Sequence, residues 1–84
     1  MREITIDCTG IANGAALHAL LAERLEFPSH YGKNLDALYD CLTEIAQQTQ
    51  ITICGMDDLD FADGFRDTLL DAEANSFWLH ISFV

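Results

Sequence analysis

Asp36, Asp40 and Glu44 recur at steps of four, a spacing that places three carboxylates in one row if the segment is helical. Such a row can seat against cations held in a fixed array on another molecule. Acids at this spacing destabilise a helix by about 0.2–0.5 kcal/mol per pair, and no Lys or Arg lies between Asp36 and Glu44 to offset them. Tyr39 falls at the edge of the same face, and His30 and Tyr31 lie just upstream, between Pro28 and Gly32. Flat rings with polar tips beside a charged row have the character of interface anchors. Against that stands an ordinary reading: a charged outer face is what a solvated helix shows, Asp36 in a first turn is favoured by the helix dipole whatever its use, and the Tyr31 ring can equally pack against the preceding helix with only its hydroxyl wet.

Two other chemistries fit less well. A cysteine nucleophile with a histidine base needs the pair within hydrogen-bond reach. Cys41 belongs to the apolar side of its segment, His30 precedes that segment and is poorly placed to reach it, and His18 and His80 have no motif around them. Asp57, Asp58, Asp60 and Asp63 crowd a short stretch, but Ala62 and Gly64 fall where a calcium loop needs ligands and its closing Glu is missing. Helix capping and solvation account for these acids, so neither a metal nor a cofactor is expected.

The elements that must position the acidic row can be read from periodicity. Glu3 to Cys8 alternates, with Ile4, Ile6 and Cys8 on one side, and is stopped by Gly10. Asn13 caps a helix carrying Leu17, Leu20, Leu21 and Leu25. Phe27-Pro28 ends the helical stretch. Asn34 caps the next helix, in which Leu35, Leu38, Leu42 and Ile45 form the apolar stripe, and which is expected to run to about Gln47. Ile51 to Cys54 is a β-branched strand ended by Gly55, Met56 to Asp60 suits one helical turn, and Phe61 to about Ala74 suits a last helix. Phe77 to Val84 alternates two apolar sets, which suits a strand buried on both faces. Helical crossovers between strands favour parallel pairing. The expectation is a single α/β domain over residues 1–84, a three-stranded parallel sheet covered by three to four helices, with strand order open.

Composition narrows the partner. Fourteen Asp and Glu face four Lys and Arg, for a net charge of −10. Direct nucleic-acid binding needs a basic footprint, and Arg2, Arg24, Lys33 and Arg66 are scattered, so a charged partner should be basic. Three cysteines, Cys8, Cys41 and Cys54, match neither a disulfide framework nor zinc spacing. With no signal-like apolar run and no membrane-length stretch, a cytoplasmic chain is expected, monomeric when free.

The run Pro28-Ser29-His30-Tyr31-Gly32-Lys33-Asn34-Leu35-Asp36-Ala37-Leu38-Tyr39-Asp40-Cys41-Leu42 resembles the signature of the barstar family. There, proline, two residues, Tyr-Gly, a variable residue and Asn-Leu-Asp-Ala-Leu precede an aromatic residue and Asp. Chain length, element order and the final apolar strand resemble the family too, with a shorter Gly55 to Gly64 segment. The resemblance implies an inhibitor of barnase-like ribonucleases that occludes the active site with this loop and helix. It implies that Asp40 is the central acid standing in for an RNA phosphate, that Asp36 is a neighbouring contact, and that Asp71 is a peripheral acid. His30 and Tyr39 depart from the family's best-known member, which has tyrosine and tryptophan there. The rival reading is an acidic binding module of the same fold whose target is a different nuclease toxin or another basic protein.

Overall fold

The computed structural model describes residues 1–84. Its order is β1 (Arg2–Asp7), α1 (Gly14–Leu25), α2 (Leu35–Thr43), β2 (Thr49–Cys54), a 3-10 turn (Met56–Asp58), α3 (Asp63–Ala74) and β3 (Leu79–Phe83). The strands form one parallel sheet in the order β1-β2-β3. This is the expected three-stranded parallel α/β architecture, with β2 central.

Register explains the core. Ile4, Ile51 and Ile81 are paired across the sheet, as are Ile6, Ile53 and Phe83, and this face meets Leu17 and Leu21 of α1, Leu38 and Leu42 of α2, and Phe65 and Leu69 of α3 in one buried cluster. Strand order advances in one direction, and right-handed crossovers then put both helical connections on one side. The other face therefore stays open. It carries Glu3, Thr5, Gln50, Thr52, His80 and Ser82, and on both edge strands these positions are exposed. The expectation that the last strand is buried on both faces is thus corrected: Leu79 and Ile81 are buried, whereas Trp78 is 41% and Phe77 92% exposed.

Two boundaries also differ from the sequence reading, each for a local reason. Pairing with β2 reaches back only as far as Thr49↔Leu79, so Phe77 and Trp78 lie outside β3. The second helix stops at Thr43 rather than near Gln47. There, the Thr43 hydroxyl donates to the carbonyls of Tyr39 and Asp40 at 3.0 and 3.2 Å, competing with the helical ladder. Ile45 N then donates to Leu42 O, closing the end with a tighter turn. Beyond β2, Gly55 has φ +77, and a Cβ there would lie 2.7 Å from Thr9 Oγ1, so the turn needs glycine for both conformation and space.

Candidate functional site

The acidic helix is held from both sides. Asn34 Oδ1 accepts from Ala37 N at 2.8 Å, satisfying an orphan donor at the N-terminus of α2, while Leu38 and Leu42 are fully buried. Lys33, directly before the cap, has φ 53, a left-handed conformation that turns the loop sharply into the helix. Asp36 and Asp40 consequently project from the opposite side and are exposed. Leu35, expected on the buried stripe, is 37% exposed at the first turn.

A groove of about 230 Å³ runs between loop and helix, lined by Pro28, His30, Tyr31 and Gly32 on the loop and by Ala37, Asp40, Cys41 and Glu44 at the helix. Of the residues singled out from sequence, it brings together His30, Tyr31, Asp40 and Glu44. Asp36, Asn34 and Tyr39 lie outside its walls. Glu44 belongs to the C-terminal cap of α2 rather than to its body, and its N–H donates to Asp40 O at 3.1 Å, so it still follows Asp40 along the same side. Tyr39 is half-buried and packs against the core. Asp71 is exposed on α3, which packs against α2, and it does not line the groove.

Tyr31 forms the floor of the groove and is only 8% exposed. Its hydroxyl makes a 2.6 Å hydrogen bond with His18 Nδ1. His18 is itself packed at a tilt against Phe65, and Tyr31 at a tilt against Phe27. Burial pushes the Tyr31 phenol up to about 12, with Cys41 adding to the shift. Burial, aided by Lys33, pulls His18 below its ordinary value. The pairing escaped the sequence reading, since thirteen residues separate the partners; the only signal was a histidine in an otherwise apolar helical stripe.

Electrostatically the site is uncompensated. Arg2 pairs with Glu26 and Arg66 with Asp57; Asp36, Asp40 and Glu44 have no ion pair, and Asp40 makes no side-chain hydrogen bond. Cys41, half-buried beside them, is pushed up first by burial and then by Glu44 and Asp40. That is the wrong direction for a nucleophile, and the one buried histidine, His18, is engaged with Tyr31. No group of three His, Cys, Asp or Glu side chains is gathered as a metal centre requires. The arrangement presents rigidly held, exposed negative charge beside a small groove. That suits recognition of cations by a preformed surface.

Residues 1–81 match the family model described as Barstar (barnase inhibitor). The chain is also similar to a Bacillus subtilis (strain 168) protein named "Putative ribonuclease inhibitor YrdF", at 54% identity over 43 residues. That match covers 51% of this chain and 47% of the relative, so it spans about half the length of each. No helix is long and apolar enough to cross a membrane.

Proposed function

The chain belongs to the barstar family, and from that premise we propose that it is a non-enzymatic inhibitor of a barnase-type ribonuclease, acting in the cytoplasm and monomeric when free. The enzyme's basic active site is blocked by α2 and the loop before it. A ribonuclease holds a phosphoryl transition state with fixed cations, and a carboxylate on a stiff helix can use that same array. Asp40 takes the place of the phosphate, Asp36 and Glu44 extend the charge to either side, and His30 contacts the enzyme from the loop. Tyr31 is the floor of the groove, Asn34 fixes the helix start, and Tyr39 and Asp71 lie toward the periphery of the contact.

The observation that carries this reading is the state of Asp40: exposed, on the wall of the groove, and unclaimed by any cation of its own fold. Scale fits as well. A standard interface buries about 800 Å² per partner, roughly a sixth of this chain's 4840 Å² surface. Loop and helix together offer a patch of that order.

The test is RNA cleavage by a barnase-like enzyme with the purified protein added, alongside its Asp40→Ala variant. Cleavage should stop with the natural protein and resume with the variant. An enzyme unaffected by either would favour the same fold acting on a different nuclease toxin or another basic protein. His30 and Tyr39, which differ from the aromatic residues of the family's best-known member, motivate that second reading.

A further inference from the structure

In a parallel ladder, alternate residues of an edge strand turn their backbone polar groups toward the neighbouring strand or away from the sheet. On β3, Trp78 O accepts from Thr49 N and Val84 N donates to Ile53 O, so the even-numbered residues face β2 and Leu79, Ile81 and Phe83 face outward. On β1, Arg2 N donates to Gln48 O and Cys8 N to Cys54 O, which leaves Glu3, Thr5 and Asp7 facing outward. The middle residue of each outward row is occupied. Ile81 N donates to Glu73 Oε2 at 2.5 Å, and Arg24 Nη2 donates to Thr5 O at 2.9 Å. Neither Glu73 nor Arg24 has an ion-pair partner. Each reaches from a helix, α3 or α1, to the rim of the sheet.

We infer that Glu73 and Arg24 are edge guards, a pair of charged side chains that stop a second copy of this chain from adding its own edge strand to the sheet. An unblocked edge is a template for such pairing. An incoming strand at β3 would have to remove a carboxylate from the Ile81 amide, and one at β1 would have to remove a guanidinium from the Thr5 carbonyl. The hazard is real on the β3 side, where Phe77 and Trp78 stand exposed at the entry to the strand. Because all three strands are parallel, β3 of one copy and β1 of the next can continue a single sheet head to tail without closing. Freeing one edge permits a two-fold dimer of like edges. Freeing both permits unlimited growth, which is why both are guarded.

Two measurements on the full chain test this. In the natural protein, the Ile81 amide should exchange with solvent roughly tenfold more slowly than those of Leu79 and Phe83, which face the same way without a side-chain acceptor. Sedimentation velocity should show a monomer for the natural chain and for Glu73→Gln, which keeps an acceptor oxygen. Glu73→Ala should show a dimer, and Arg24→Ala combined with Glu73→Ala should give species beyond dimer that grow with concentration. Ile81 exchanging as fast as its outward neighbours overturns the inference. So does a double variant that stays monomeric while its near-ultraviolet circular dichroism reports a native fold. If the double variant does not fold, the exchange result on the natural chain decides.

Discussion

His18 Nδ1 and the Tyr31 hydroxyl lie 2.6 Å apart in a buried hydrogen bond that ties the second turn of α1 to the loop in front of α2. Tyr31 floors the groove, so this bond links the core to the surface offered to a partner. Removing the hydroxyl alone, in Tyr31→Phe, leaves a ring nitrogen of His18 buried without its partner and should destabilise the fold by about 1–3 kcal/mol. Removing both groups, in Tyr31→Phe with His18→Leu, should cost less than the sum of the single variants. Urea unfolding of the four proteins as a double-mutant cycle measures that coupling; strictly additive losses would show that the bond contributes nothing of its own.

The same pair makes stability depend on pH at both ends. His18 has a folded value below its ordinary 6.5, so below that pH the unfolded chain binds the proton more readily. Its contribution is present above about pH 6.5 and is lost as pH falls toward the lower folded value. Tyr31 is raised from 10.0 to about 12. Its neutral form is retained in the fold while the unfolded phenol ionises, so stability falls as pH rises between those two values. Subtracting the pH profile of His18→Leu from that of the natural protein should isolate the acid arm, and Tyr31→Phe the alkaline one. A difference profile flat through either window would contradict the assigned burial.

Much of this architecture could be read from residue order, and the failures have local causes. Asn13 and Asn34 cap the helices that their positions announced, and Ile4, Ile6, Leu17, Leu21, Leu38 and Leu42 are all buried. Periodicity overshot where an apolar residue continued the spacing without the backbone following. Ile45 suggested more helix, yet the Thr43 hydroxyl adds its own bonds to the carbonyls of Tyr39 and Asp40, and Ile45 N turns to Leu42 O in a tighter closing turn. Phe77 suggested more strand, yet β2 begins its pairing at Leu79. In the site, Asp40 and Asp36 were legible because helical spacing alone decides which way they face. For Tyr31 the packing of its ring against the first helix was legible, but the burial of its hydroxyl was not, because that depends on a histidine thirteen residues away.

The two asparagine caps permit a controlled comparison. Asn13 Oδ1 accepts from Ala16 N at 2.9 Å and Asn34 Oδ1 from Ala37 N at 2.8 Å, so Asn13→Ala and Asn34→Ala should each destabilise the chain by about 1 kcal/mol. Only Asn34 holds the first turn that carries Asp36. Asn34→Ala should therefore also weaken enzyme binding several-fold, while Asn13→Ala leaves binding unchanged. Titration calorimetry beside thermal unfolding separates the two effects, and equal binding losses in both variants would mean that cap rigidity plays no part in recognition.

Asp40 separates stability from binding most sharply. It is exposed and its side chain is unpaired in the free chain, so Asp40→Ala should leave the unfolding midpoint within experimental scatter. In the complex the same change would strand the enzyme's cations in a desolvated contact, which typically costs about 3–5 kcal/mol, or roughly 10²–10⁴-fold in Kd. Asp36 and Glu44, flanking that contact, should act mainly on the rate of encounter. With a chain charge of −10, association with a basic enzyme should slow steeply as salt is raised, since screening at physiological ionic strength acts beyond about 8 Å. Stopped-flow association at several salt concentrations reads this directly: Glu44→Gln should flatten the salt dependence, and Asp40→Ala should raise the dissociation rate. An association rate indifferent to salt, together with an Asp40→Ala variant that still inhibits, would mean that the exposed acids of α2 are a solvated surface and nothing more.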